Sequence, residues 1–370
     1  MSHLVEGLSF GWRTAVLLVP FVQLLLISAA LLRVLENRRA NRTLALLLVV
    51  LAGIITPWMI GFAGFYDRWQ WLSFVPVSIT LAVAPLFWLY VHALVRGHWP
   101  WRGGWHLVPA LLQFSYLAIC FVALQQPFKN EWLGRQSEIY GVITGIGVMA
   151  GLLTYGLRSR ALIARYRQQL PEQVSDEHRY AARWLSQAMA ALFVLLAVWT
   201  LYGAWDLVTP LGYRGLMGLY AAIATIALFL GIQGLRHADR HFPMEEPQPA
   251  ELPLRDWRAL GGQWAVATRH NGWHADPELS LALLARRLGT NTAYLSRALN
   301  DGLGLNFATF VNRLRCEDVA AAIGAGRADD LLDLALEAGF SSKASFNRAF
   351  LACYGATPSE YRRAHVSKAE

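Results

Sequence analysis

The sequence has few charged residues and few cysteines. Only 16% of its 370 residues are charged and 55% are hydrophobic, whereas a soluble protein usually carries about 25% charge. This deficit indicates a membrane protein, or a membrane part joined to a soluble part. The three cysteines, Cys120, Cys316 and Cys353, form no C-x-x-C pair and are odd in number. We therefore expect no disulfide framework and no zinc ribbon, and interpret all three as buried, unreactive thiols.

The sequence also lacks the motifs that carry catalysis in membrane enzymes and ion coupling in transporters. It has no nucleotide-binding loop and no H-E-x-x-H motif, and its apolar runs hold no paired carboxylates. We therefore expect no catalytic residues, no bound metal and no cofactor.

Long apolar runs are what the N-terminal two thirds of the chain has in abundance. A helix needs about 20 mostly apolar residues to cross a membrane, and seven runs approach that length. They cover residues 14–33, 43–62, 72–95, 106–124, 139–157, 187–207 and 215–234. We expect an all-α fold in which residues 1–240 form a seven-helix transmembrane bundle.

The segments between the runs differ in their positive charge. Lysine and arginine collect in cytoplasmic loops, and the segments after the first, third, fifth and seventh runs hold 14 such residues, against five on the other side. This bias predicts a bacterial inner-membrane protein with its N-terminus outside and its C-terminal domain in the cytoplasm. A cleaved signal peptide near Ser28 would export that domain, so we expect the first run to be retained.

Several residues in the apolar runs could line a ligand pocket. Proline breaks helices and frees backbone carbonyls, so Pro76 and Pro85 are candidates, together with Asp206 and His92. Interhelical hydrogen bonds and packing kinks explain such residues equally well. Gly141, Gly145, Gly147 and Gly151 form two small-xxx-small motifs, which favour either a homodimer or close packing within the bundle.

A proline-rich stretch separates the apolar part from the rest of the chain. Residues 241–254 contain Pro243, Pro247, Pro249 and Pro253, which prevent a continuous helix. We expect an extended linker and a domain boundary here. A signal would then act through dimer geometry or proximity rather than through one rigid rod.

Residues 255–370 show the periodicity of short soluble helices. Leu281, Leu284, Ala285 and Leu288 form one apolar stripe, Gly289 ends it, and Thr290 or Asn291 can cap a second helix. The pattern recurs after a longer helix at about 306–323, and it predicts two helix-turn-helix units. In the second unit the stripe is Leu331, Leu334, Ala335 and Ala338, followed by Gly339 and a cap at Ser341 or Ser342.

This region, with a core at about 274–363, resembles the DNA-binding domain of AraC/XylS regulators. The resemblance covers about a quarter of the chain. It rests on Leu284-Ala-Arg-Arg-Leu-Gly-Thr290, Tyr294-Leu-Ser-Arg-Ala-Leu-Asn300, Phe310-Val-Asn-Arg-Leu-Arg315, Ala335-Leu-Glu-Ala-Gly-Phe-Ser-Ser342, Phe346-Asn-Arg-Ala-Phe350 and Gly355-Ala-Thr-Pro-Ser-Glu-Tyr-Arg362.

The resemblance implies that two recognition helices enter successive major grooves, about 34 Å apart. By position, the residues expected to face bases are Ala293, Ser296 and Arg297 in the first helix, and Lys343, Ala344, Asn347 and Arg348 in the second. Thr292, Asn300 and Ser342 are candidates for phosphate contacts. Asp301 and the stretch Leu351-Ala-Cys353 stand where the family often has basic residues, so phosphate affinity is expected to be weak.

These features predict a membrane-bound, one-component transcription factor. Its expected partners are double-stranded promoter DNA, the lipid bilayer, RNA polymerase, a second copy of the chain, and a small-molecule or protein signal at the membrane domain. Two alternatives stay open. The membrane domain could be a transporter or enzyme with an appended regulatory domain, or it could serve only as an anchor.

Overall fold

The computed structural model describes residues 8–125, 128–175, 183–209, 211–239, 256–327 and 329–366. Within those ranges the regular secondary structure is helical, apart from a single antiparallel backbone bridge between Val174 and Ser280. The chain divides into two compact units. The first holds residues 1–163 and 183–242, and the second holds residues 164–182 and 243–370.

Among its described residues, the first unit has seven helices longer than ten residues. Pro20 and Pro57 lie inside the first two. The helices are α1 (Trp12–Arg33), α2 (Arg38–Phe62), α3 (Val83–Arg96), α4 (Val108–Ala123), α5 (Phe128–Gln169), α6 (Arg183–Val208) and α7 (Met217–Arg236); shorter turns are Phe65–Arg68, Gln70–Leu72, Thr80–Ala82, Gly103–Leu107 and Gly212–Gly215.

In the part of the chain that the structure describes, six helical segments are long and apolar enough to cross a membrane, and they include α1, α2 and α7. The third predicted run, 72–95, is not one helix. Only Thr80–Arg96 is continuous, and at 17 residues it is shorter than the other six. The residues before it leave helical geometry because Pro76 lacks an N–H and restricts the residue that precedes it. The carbonyl of Val77 in this stretch packs directly on Gly53 of α2.

Helix α2 is the most buried of the six segments. It packs against α1, α3 and α7. Two polar side chains near its N-terminal end bond to neighbours: the Asn41 amide donates to the Ala238 carbonyl at 3.0 Å, and the Trp99 indole donates to Thr43 Oγ1 at 2.9 Å.

The four pocket candidates lie in different settings. Asp206 is exposed near the end of α6, where its carboxylate accepts the backbone N–H of Leu211 at 2.9 Å. Pro76 lies in the non-helical stretch, and Pro85 is buried in the first turn of α3. His92 is buried with Nδ1 2.8 Å from the carbonyl of His98. A ligand pocket formed by these residues stays a prediction.

The second unit contains the remaining helices and part of a loop that the sequence analysis counted with the membrane half. Residues 164–182, the end of α5 and the segment after it, group with the C-terminal residues. The proline-rich stretch 241–254 lies outside the described residues. The helices are α8 (Trp257–His270), α9 (Leu281–Arg287), α10 (Thr292–Arg297), α11 (Phe307–Gly324), α12 (Leu331–Glu337), α13 (Lys343–Tyr354) and α14 (Pro358–Val366).

Two apolar cores lie on opposite halves of α11. Leu284 and Leu295 pack with Phe307, Phe310 and Val311 from its first half. The second core gathers α12 and α13 around the second half of the same helix, through Cys316, Val319, Ile323, Leu334, Phe346 and Phe350. One long helix therefore carries two similar helical units, as the apolar stripes predict.

Candidate nucleic-acid interface

The two predicted helix-turn-helix turns share a positive-φ glycine and the same backbone hydrogen-bond pattern. In the first, Gly289 has φ +68° and the N–H of Thr290 donates to the Ala285 carbonyl at 2.9 Å. In the second, Gly339 has φ +96° and the N–H of Phe340 donates to the Ala335 carbonyl at 2.9 Å. Each glycine ends a helix in a conformation that side chains disfavour, and the turn sets the angle of the helix that follows.

Both recognition helices begin at a side-chain cap. Asn291 Oδ1 accepts the N–H of Tyr294 at 2.8 Å, and Ser342 Oγ accepts the N–H of Ser345 at 3.3 Å. Each cap satisfies one of the amides that a helix N-terminus leaves unpaired. The remaining amides at these two ends are suited to an anionic oxygen.

The second recognition helix, α13, presents the four predicted residues to solvent. Lys343, Ala344, Asn347 and Arg348 are all exposed, while Phe346 and Phe350 anchor the opposite face in the core. Across the described residues, neither Lys343 nor Arg348 forms an ion pair. This helix therefore offers two cations and an amide, the groups that pair with phosphates and with base edges in a major groove.

The first recognition helix is arranged differently. The Arg297 side chain is 45% exposed, and its Nε donates to Asp301 Oδ2 at 2.9 Å. Its guanidinium also lies 5.7 Å from the centre of the Trp257 ring. Asn300 is exposed and its amide donates to Ser296 Oγ at 3.3 Å. The Asp301 carboxylate therefore competes with a base for the Arg297 guanidinium.

Two residues predicted to face bases are buried instead. Ala293 is 5% exposed and Ser296 is 6% exposed, so neither small side chain is presented to a ligand. The prediction assumed one buried stripe on α10. The structure buries a wider arc, because the helix is only six residues long and continues into a π-helical turn, Ala298–Gly302, whose first two residues are also buried.

Helix α8 was not foreseen and contributes to this arc. It packs against the π-helical turn, and the Trp257 ring lies 5.8 Å from the ring of Tyr294. Its start is marked by Asp256, whose carboxylate accepts the N–H of Ala259 at 2.9 Å. The cap followed by apolar residues at 257, 260 and 264 is the sequence signal that could have found it.

Arg315 is the other residue that sequence reasoning left without a role. It is only 1% exposed and sits on α11 between the two cores. Nε donates to the His274 carbonyl at 2.7 Å and Nη2 to the Asp276 carbonyl at 2.8 Å, while the guanidinium lies 5.7 Å from the Phe340 ring. Arg315 therefore joins the segment before the first helix-turn-helix unit to the turn of the second.

Every cysteine is predicted from the sequence to be buried, and in the second unit this is wrong for one of the two. Cys316 is buried, but Cys353 on α13 is exposed. A hydrogen bond from Cys316 lowers the pKa of Cys353 to about 7, and the same contact together with burial raises the pKa of Cys316. Because an exposed thiol with a lowered pKa is largely ionised near neutral pH, we expect Cys353 to be reactive there.

In a comparison with known protein families, residues 284–364 match a family described as Helix-turn-helix domain. The match covers both turns, both recognition helices and the whole of α11. The second unit contains an AraC-like helix-turn-helix domain. Its prediction from the sequence is confirmed at that level. The positions that touch DNA stay predictions.

Curated relatives share this helix-turn-helix domain. An uncharacterized HTH-type transcriptional regulator of Staphylococcus aureus is 37% identical over 90 residues, which are 24% of this chain and 12% of that protein. The HTH-type transcriptional regulator MtrA of Neisseria gonorrhoeae is 29% identical over 126 residues, 32% of this chain and 40% of MtrA. The chain thus spans well under half the length of these relatives.

Among solved structures, the C-terminal domain of AraT, a response regulator from Geobacillus stearothermophilus, is similar to this chain with 23% identity and a TM-score of 0.26. The similarity covers 28% of this chain and 84% of that domain.

Proposed function

We propose that the chain is a membrane-bound transcription regulator that binds specific promoter DNA through its two helix-turn-helix units. The observation that carries the proposal is the repeated unit itself. Two turns closed by the same backbone hydrogen bond, each followed by a capped recognition helix, are joined by one connecting helix. Matches to proteins named as transcriptional regulators support the same function.

Membrane insertion is supported by the six apolar helices and by the arginine bias. Thr80–Arg96 is 17 residues long, about 26 Å at 1.5 Å per residue, slightly less than the roughly 30 Å hydrocarbon core. We include it as the seventh crossing, with the preceding stretch completing the span. Only seven crossings put Arg96 and Arg102 on the same side as Arg38 and Arg39.

Topology reporters decide this crossing. Alkaline phosphatase, which is active only outside the cytoplasm, is fused after residue 70 and, for comparison, after residue 100, on either side of Thr80–Arg96. Activity is expected at 70 and not at 100. Activity at both sites would show that Thr80–Arg96 does not cross the membrane, and it would put the helix-turn-helix domain on the wrong side for DNA.

DNA reading is proposed for Arg297, Lys343, Ala344, Asn347 and Arg348, with Thr292, Asn300 and Ser342 near phosphates. The full-length protein in lipid nanodiscs is used to select duplexes from a random library. Arg348→Ala and Arg297→Ala should each weaken binding to the selected duplex by about tenfold, because a bidentate arginine–guanine pair contributes about 1–3 kcal/mol.

Arg313→Ala is the matched control. Arg313 is exposed on α11, off both recognition helices, where it pairs with Glu317. The Arg313→Ala variant should bind the selected duplex with an affinity within about twofold of the wild type. If Arg297→Ala and Arg348→Ala retain both affinity and sequence preference, the assigned interface is wrong.

A further inference from the structure

The segment that follows the long helix α5 lies against the helix-turn-helix domain. Residues 170–175, here called the clasp, come immediately after Gln169, the last residue of α5. The turn Leu170–Glu172 packs on α11. Leu170, Val174 and Ser175 are buried, although a loop between two predicted membrane helices would ordinarily be solvated. The helix-turn-helix domain supplies the surface that buries them.

The clasp pairs with the backbone at the start of α9. The Gln173 carbonyl accepts the N–H of Leu281 at 2.9 Å, and Val174 forms an antiparallel bridge with Ser280. Leu281 is the first residue of the helix, and its N–H has no acceptor within the helix itself. The clasp therefore completes a helix terminus in the first helix-turn-helix unit.

The clasp also completes the site of the buried Arg315. Its Nη1 donates to Ser175 Oγ at 3.1 Å, and the neighbouring Asn312 amide donates to the Ser175 carbonyl at 2.9 Å. A buried guanidinium is costly unless its N–H groups are paired. Without Ser175, the Arg315 guanidinium loses the hydrogen bond that the clasp supplies. Its contacts with the His274 carbonyl and the Phe340 ring remain.

The exposed faces of the recognition helices lie apart from these contacts. Arg297, Lys343 and Arg348 remain exposed with the clasp engaged, so the clasp does not act as a plug. We propose that residues 170–175 dock the DNA-binding unit onto the end of α5 and hold Arg315 in the geometry that DNA binding uses. The effect on DNA binding rests on the proposed function, whereas the docking does not.

The test uses the full-length protein in lipid nanodiscs. Val174→Asp puts a charge into the buried contact, and Gln168→Asp adds the same charge at an exposed position of α5. Amide exchange measured without DNA should accelerate about tenfold over residues 279–285 in Val174→Asp and stay unchanged in Gln168→Asp. Binding to the selected duplex should fall about threefold to tenfold in Val174→Asp alone.

Asn312→Ala is a milder second variant, because it removes only the amide donated to Ser175; it should shift both readouts in the same direction. Docking is refuted if residues 170–175 exchange as unprotected amides in the wild type, or if the two aspartate variants behave alike. Faster exchange with unchanged DNA affinity refutes the coupling. Protected clasp amides in a protein that selects no duplex would refute the proposed function and leave the docking standing.

Discussion

Replacing Asp301 with asparagine should strengthen DNA binding. In the free protein the Asp301 carboxylate holds Arg297, the best-placed base reader of the first recognition helix, through a contact of 2.9 Å. That contact fixes the orientation of the guanidinium, so we expect it to compete with pairing to a base. The carboxylate also lies in the π-helical turn that continues this helix, so we expect it to repel the phosphates of bound DNA.

The two contributions are of similar size. Both side chains are about half exposed, at 45% and 53%, and an exposed pair of this spacing is worth about 0.3–0.5 kcal/mol. A carboxylate about 10 Å from a phosphate costs about 0.4 kcal/mol in water, before screening by salt. Together they give about 1 kcal/mol, or about fivefold in Kd. The slope of log affinity against log salt should steepen by up to about 0.9.

Fluorescence anisotropy on the selected duplex at several salt concentrations measures both quantities. Asp333→Asn is the charge-matched control, because Asp333 is exposed on α12, outside the recognition helices. In an Arg297→Ala background the gain should shrink, since only the phosphate contribution remains. Equal affinities for Asp301→Asn, Asp333→Asn and the wild type at low salt would refute the reasoning.

Two further predictions concern the turn of the second unit and the exposed thiol. Gly339→Ala should cost more than about 2 kcal/mol in thermal unfolding, because φ is +96° and a Cβ would lie 2.5 Å from the Ala275 carbonyl oxygen; Gly289→Ala, at φ +68° with open space around it, should cost only about 1–2 kcal/mol, and equal losses would contradict the close approach. Alkylation of Cys353 should be half-maximal near pH 7, and Cys316→Ala should move that midpoint upward because the hydrogen bond that stabilises the thiolate is removed; an unmoved midpoint would show that Cys316 does not set it.

The helix-turn-helix units were predictable because their signals are local. Gly289 ends one helix and Asn291 caps the next within three residues, and the apolar positions of α11 repeat with the helical period. The predicted helix at 306–323 is Phe307–Gly324 in the structure. Capping, positive φ and periodicity all act over one or two turns, so the sequence alone carries them.

The errors arise where distant segments meet. The helical period places Ala293 and Ser296 on the outer face of α10, but both are buried. They lie in a helix-turn-helix unit against which α8 also packs. The run at 72–95 counts as apolar enough to span, yet the contact between Val77 and Gly53 belongs to a non-helical stretch before α3. Neither the packing of α8 nor the contact between Val77 and Gly53 can be predicted from composition or period, because each joins segments that are far apart in the chain.

The clasp changes the route by which the membrane helices are expected to act on DNA binding. The proline-rich linker alone would leave the helix-turn-helix domain as a tethered body, and only proximity or dimer geometry could carry a signal. The clasp adds a second attachment with defined partners, Leu281, Asn312 and Arg315. Because Arg315 also reaches the turn at Phe340, a change at the end of α5 bears on both recognition helices at once. Coupling then requires that the clasp bind the helix-turn-helix domain with different affinity in two states of the membrane helices. It does not require a rigid linker.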